Sequence, residues 1–199
     1  MKKFALLSLL SASLLTVALA ADAPHHKAAI GQPAPQFSLP DQNGKTVNLS
    51  DYAGKTVVLE WFNPGCPYVQ KFYDAGKMNE FAKQYAGKDV AWIAINTTRE
   101  NTPASNKEAA SKWSIDRPIL SDDGGKVARM YGAKSTPDMF IIDKTGTLVY
   151  SGAIDDQPDP DPKTLDSAKN YVTTALDQLL SGQPISTPQT KSYGCGVKY

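Results

Sequence analysis

The chain is poor in the residues that most often announce a chemistry. It has two cysteines and two histidines in 199 residues. Two thiols are far too few for a disulfide-built scaffold, so packing must hold the fold. Neither sign of charge dominates, with 21 basic and 20 acidic residues. That balance gives no footprint for nucleic acid or for an anionic membrane surface. No long apolar run follows the first twenty residues, and no internal repeat is visible.

Those first twenty residues read as an export signal. Lys2 and Lys3 form a charged start, Phe4 to Leu19 is apolar with small residues mixed in, and Ala18-Leu19-Ala20 fits a small-x-small cleavage site. The run is too short and too rich in Ser and Ala for a membrane span. Cleavage after Ala20 is expected, giving a periplasmic or otherwise exported protein with no stable membrane insertion. Removing Lys2 and Lys3 leaves 19 basic against 20 acidic residues. The expected organisation is signal 1–20, flexible leader 21–30, one domain over 31–183, and a tail 184–199 that carries Cys195. A mature chain of about 180 residues suits one domain with a proper core.

The densest signal lies at Val57-Val58-Leu59-Glu60-Trp61-Phe62-Asn63-Pro64-Gly65-Cys66-Pro67-Tyr68-Val69. An apolar run reads as a buried strand, and Pro64-Gly65 stops it. Cys66 comes next, with Pro67 suited to the first turn of a helix. A thiol there faces unpaired N–H groups and the positive end of the helix dipole, which favour the reactive thiolate. The competing reading is a buried thiol packed as a small hydrophobe.

Elsewhere, Phe37–Leu39 and Thr46–Leu49 flank Asp41-Gln42-Asn43-Gly44, a hairpin signal. A helix is expected from Pro67 to about Tyr85, with a kink or break at Gly76. Val90–Ile95 reads as a strand. Thr102 is expected to cap a helix over Pro103–Trp113. Ile119-Leu120 is a short extended piece, a turn at Asp122–Gly125 leads into a helix over Lys126–Tyr131, and Met139–Ile142 and Thr147–Ser151 form a hairpin. Gln157–Pro162 alternates Pro with Asp and reads as a stiff surface loop. Leu165–Leu180 has helical periodicity. The order implies an α/β fold: a mixed sheet with helices on both faces.

On these residues the chain resembles the thioredoxin superfamily, and within it the redoxins related to peroxiredoxins of the AhpC/TSA type. The resemblance spans about Ile30 to Gly182. It is carried by Gly31–Phe37, the Cys66 run, Leu120–Gly124, and Ser135-Thr136-Pro137 before Met139–Asp143. It implies a thioredoxin-like fold with a central mixed sheet. The departures are equally informative. The second thioredoxin cysteine is replaced by Val69, which is also where a peroxidatic cysteine is expected. The stretch Ser135–Asp138 lacks the arginine expected to bind peroxide. These absences argue against an ordinary peroxidase. The ending Gly194-Cys195-Gly196-Val197-Lys198-Tyr199 matches a peroxiredoxin-like subfamily.

The resemblance implies a cis bond at Thr136-Pro137, in a loop that lies beside the thiol and offers backbone groups to an extended substrate. Pro67 and Tyr68 would shape the surface next to Cys66. Glu60, six residues before Cys66, matches a buried acid that moves protons; the plainer reading is a strand-edge acid paired with a lysine. Cys195 has three open readings: the thiol that resolves a mixed disulfide, a permanent bridge to Cys66, or an intermolecular thiol. Asp155-Asp156 reads as a turn cap or a small site. His25 and His26 read as part of the leader rather than as metal ligands.

The leading expectation is thiol–disulfide exchange on protein or small-molecule thiols and disulfides. Electrons would come from an unidentified thiol donor, and no small-molecule cofactor or metal is needed. The alternatives are a non-enzymatic, copper-handling or binding module and a divergent thiol peroxidase.

Overall fold

The computed structural model describes residues 27–99 and 101–199. The predicted signal 1–20 and the leader histidines His25 and His26 lie outside the described residues. In chain order the strands are β1 (Ser38–Pro40), β2 (Thr46–Asn48), β3 (Thr56–Phe62), β4 (Val90–Asn96), β5 (Ile119–Ser121), β6 (Ser135–Thr136), β7 (Met139–Ile142), β8 (Leu148–Gly152) and β9 (Cys195–Gly196). The helices are α1 (Pro67–Asp74), α2 (Lys77–Ala86), α3 (Pro103–Trp113), α4 (Lys126–Tyr131) and α5 (Tyr171–Leu180).

A five-stranded sheet in the order β5-β4-β3-β7-β8 forms the centre. β3 runs parallel to β4 and antiparallel to β7, so the sheet is mixed as expected. All seven residues of β3 are buried. This explains its near-continuous apolar sequence: a central strand covered on both faces has no solvent side to mark with polar residues. Val58, Phe62, Met139 and Ile141 face α1, α2, α3 and α5 on one side. Leu59, Trp61, Ile93 and Phe140 face α4 and the β1–β2 hairpin on the other. In the hairpin the Asp41 carboxylate accepts from the N–H groups of Asn43 (2.8 Å) and Lys45 (2.9 Å), a side-chain-built turn closed by Gly44 at φ +79°.

The expected break at Gly76 separates α1 from α2. Gly76 adopts φ +70°, a left-handed geometry that ends one helix and starts the next. Thr102 caps α3 through its hydroxyl, which accepts from Ser105 N. The last helix is shorter than its periodicity predicts. Residues Pro162–Asp166 form a 3-10 turn, and α5 starts only at Tyr171, capped by Asn170, whose side chain accepts from Thr173 N. Leu165 still packs on the core, so it mimics a helical position without being in the helix. The Pro–Asp loop is also more than a surface spacer. Lys71 is buried and donates to the carbonyls of Gln157 (2.9 Å) and Asp159 (2.8 Å), tying that loop to α1. Among the described residues no helix is long and apolar enough to cross a membrane.

Leu176 in α5 is fully buried, whereas Leu180 is 40% exposed. Leu176→Ala is expected to destabilise the fold by about 2–5 kcal/mol through lost transfer energy and a cavity. Leu180→Ala is expected to stay within about 0.5 kcal/mol. Urea denaturation of both variants checks this.

Candidate active site

The turn after β3 places the thiol. Asn63 Oδ1 accepts from Gly65 N (2.8 Å), and its backbone carbonyl accepts from Cys66 N (3.0 Å). Cys66 is then the N-cap of α1, in extended geometry, with Pro67 at the first helical position. Its sulfur is fully buried and lies 3.1 Å from the backbone oxygen of Thr136. The Thr136-Pro137 bond is cis, as the resemblance implies, and both residues are buried.

The tail brings the second cysteine to this point. β9 pairs antiparallel with β6, Cys195 opposite Thr136 and Gly196 opposite Ser135. Cys195 is a free thiol, as is Cys66, and both lie against Thr136, Cys195 as its strand partner and Cys66 through its sulfur. Residues 129 apart in sequence thus meet at one helix N-terminus. Burial raises the Cys66 pKa, but hydrogen bonds from Cys195 and Thr136 and from the backbone of Cys195 and Val69 outweigh it, so Cys66 is held below the usual thiol value. Cys195 is pushed up to about 11 by burial, by its hydrogen bond to Cys66 and by the charge there. One thiol therefore ionises well before the other.

Tail docking starts upstream. Ser151 of β8 donates to Pro188 O (3.1 Å) and accepts from Thr190 N (3.1 Å), so the tail covers the edge of the sheet. A Cβ on Gly152, at φ +138°, would lie 2.3 Å from Thr190 O. Tyr193 donates its phenol to Asp155 and sets its ring edge-on to Tyr68 at 5.8 Å. At the chain end Tyr199 donates to Ala133 O (2.8 Å), and the Arg129 guanidinium lies 4.5 Å from its ring centre. Of the Asp155-Asp156 pair, Asp155 thus latches the tail and Asp156 accepts from Lys169 N (2.9 Å).

Glu60 is not a strand-edge acid paired with a lysine. It sits on the central strand, fully buried. Tyr73 (2.9 Å) and Trp92 (2.9 Å) donate to its carboxylate, and Arg117 lies 3.7 Å away as an ion-pair partner. Burial raises its pKa, and the Arg117 charge and both hydrogen bonds work against that rise. Arg117 also donates to the Tyr73 hydroxyl (2.8 Å) and to Asn79 Oδ1 (2.8 Å). Arg117 was not singled out in the sequence, since nothing local marks a residue 57 positions away as the partner of Glu60.

Nothing local marks Asp138 as buried either. It follows Pro137, is 4% exposed, and lines a cavity of about 430 Å³ between the tail and β7–β8. Burial pushes its pKa from 3.8 to about 6, against hydrogen bonds from the Lys134 backbone and Ser192. A carboxyl whose folded pKa lies above its unfolded value stabilises the fold less as pH rises through that window. Stability is therefore expected to fall between about pH 4 and pH 6 by up to about 3 kcal/mol for this group. Asp138→Asn is expected to remove that slope, read from denaturation midpoints across pH.

The fold agrees with known proteins. The AhpC/TSA family model matches residues 30–151. The thiol-disulfide oxidoreductase ResA of Bacillus thuringiensis subsp. konkukian is 32% identical over 123 residues, 62% of this chain and 69% of that protein. Chloroplastic peroxiredoxin Q of Gentiana triflora is 31% identical over 163 residues, 75% of this chain and 69% of that protein. A crystal structure of the hypothetical protein SMc02350 from Sinorhizobium meliloti 1021 superposes with a TM-score of 0.74 at 29% identity, covering 87% of this chain and 96% of the other. The chain belongs to the AhpC/TSA family, a thioredoxin-superfamily redoxin.

Proposed function

We propose that the protein is a thiol–disulfide oxidoreductase, exported through its N-terminal signal, in which Cys66 is the nucleophile and Cys195 the resolving thiol. The observation that carries this reading is that both free cysteines converge on Thr136, Cys195 as its strand partner and Cys66 with its sulfur 3.1 Å from the Thr136 oxygen at the N-terminus of α1. The ResA relative supports a thioredoxin-like redox function. Val69 puts a hydrocarbon side chain where a peroxidatic cysteine is expected, which favours exchange over peroxide chemistry.

In the reaction the Cys66 thiolate attacks one sulfur of a substrate disulfide. The Cys66–substrate bond forms as the substrate S–S bond breaks, and the released thiolate takes up a proton. Cys195 then loses its proton and attacks the Cys66 sulfur, forming a Cys66–Cys195 disulfide and releasing the second substrate thiol. Two electrons pass from the cysteine pair to the substrate, and the reverse sequence oxidises a dithiol. A thiol-bearing donor protein restores the pair. The lower pKa of Cys66 suits attack, and exchange from Cys195 waits on its deprotonation. Pro67, Tyr68, Thr136 and Pro137 form the surface on which substrate is held.

Cys66→Ser is expected to abolish insulin reduction, and Cys195→Ser to accumulate a trapped Cys66 mixed disulfide, both read by thiol-trapping mass spectrometry. The Cys66–Cys195 couple is expected between about −120 and −270 mV by glutathione titration. A value below about −300 mV would mark a structural bridge and end this reading.

Glu60 is proposed as a proton carrier on its position in β3 and its buried, raised carboxyl. Glu60→Gln is expected to slow exchange near neutral pH by roughly 10²-fold or less and to flatten its pH profile. A purely structural acid would lower stability and leave the profile in place.

A further inference from the structure

Strand β6 is two residues long, and its one strand partner among the described residues is the tail strand β9. β6 itself is buried, with Ser135 at 6% and Thr136 at 4% exposure. By contrast, none of residues 191–199 is buried. The tail is therefore a surface strap laid over a buried edge, and segments of that kind belong to the readily opened parts of a fold. Lifting it would leave the Ser135–Thr136 backbone as an unpaired strand edge, with the Cys66 sulfur 3.1 Å from the Thr136 oxygen.

An unpaired edge of this kind takes an extended peptide by strand addition. The tail shows which peptide fits. Its cysteine lies opposite Thr136, the residue whose backbone oxygen touches the Cys66 sulfur. The residue before it, Gly194, has φ +119°, and a Cβ there would lie 2.1 Å from Thr136 O. That backbone angle and that space both exclude a side chain. Ser135 adds a hydroxyl that is buried without a hydrogen-bond partner, on the wall of the cavity the upstream tail spans.

We propose that β9 occupies, in cis, the binding edge of the protein's substrate, and that this substrate is an extended polypeptide segment whose disulfide-bonded cysteine follows a glycine. The proposal rests on Cys66 acting as the nucleophile. Substrate enters by displacing the tail. Its Gly-Cys step takes the register of Gly194-Cys195, and Cys66 attacks the cysteine sulfur. Return of the tail then delivers Cys195 to the same place and expels the product.

The test uses the mature chain carrying Cys195→Ser, so that Cys66 is the sole thiol. The probe is a synthetic peptide of the tail sequence 190–199 with its cysteine held as a mixed disulfide with thionitrobenzoate. Attack by Cys66 on the peptide sulfur forms the protein–peptide disulfide and releases the coloured thionitrobenzoate anion. A second peptide carries Gly194→Val, and Ellman's reagent serves as a small disulfide without a backbone. The glycine peptide is expected to react at least about tenfold faster than the valine peptide, from the strain of a side chain at positive φ. Adding Gly194→Val to the protein's own tail is expected to undock it and raise the rate with the glycine peptide by a similar factor. Equal rates for the two peptides, in a protein that reacts with Ellman's reagent, would overturn the proposal and leave the exchange function standing. So would an unchanged rate after Gly194→Val in the protein. The peptide comparison holds even if that variant folds poorly. No reaction of Cys66 with any of the disulfides would remove the exchange function and the proposal together.

Discussion

The antiparallel pairing of Thr136 with Cys195 is the contact on which the site depends. Without it the protein has one thiol at a helix N-terminus and another at the end of a tail. With it both cysteines lie against Thr136 at a cis-proline loop, and each shifts the other's ionisation. The pairing is held at several points of different kinds: a backbone ladder to β8, a phenol on Asp155, an aromatic contact to Tyr68, and the Tyr199 anchor near α4. Two glycines make it sterically possible. Gly152 and Gly194 each stand where a Cβ would fall within 2.3 Å of a backbone oxygen. Each of these contacts is modest alone, and their spacing fixes the register of Cys195.

The electrostatics of the pair follow from position. Both thiols lose solvent, which by itself disfavours ionisation. Cys66 recovers the loss because donors converge on it, including a backbone N–H at the start of α1. Cys195 does not, since a negative charge on Cys66 opposes a second one beside it. A disulfide exchange catalyst needs this asymmetry: one sulfur ready to attack, the other held back until the mixed disulfide has formed.

Two buried cations show how the domain treats charge beneath this surface. Arg117 closes a network with Glu60, Tyr73 and Asn79, so no member of the ion pair faces the core alone. Lys71 is held instead by carbonyl oxygens of the Pro–Asp loop; burial lowers its pKa, and the charges of Asp155, Asp159 and Asp161 work against that fall. Removing one partner of such a set leaves an uncompensated charge, which costs several times what the intact pair contributes. The same lysine-bound loop leads out of Asp155, so the tail's latch and the start of α1 share a support.

Much of the architecture was legible because it is local. The β3 run, the Pro64-Gly65 stop, Cys66 before Pro67, the Gly76 break and the Thr102 cap all depend on residues within a few positions of one another, and short-range backbone sterics and capping decide them. The resemblance carried the cis-proline loop and the mixed sheet. Leu165 misled because periodicity reports burial, and a 3-10 turn can bury the same side chain a helix would. The partner of Glu60, the anchor of Lys71, the raised acid at Asp138 and the latch from Tyr193 to Asp155 join residues 38 to 88 positions apart, apart from Asp138, whose burial comes from the tail and sheet around it. Local pattern was enough to set Cys66 between a buried strand and the start of a helix, and the resemblance supplied the kind of fold. That Cys195 lies opposite Thr136, beside Cys66, is a tertiary outcome, because it depends on the path of a tail across a sheet edge and on space beside Thr136, which no local pattern encodes.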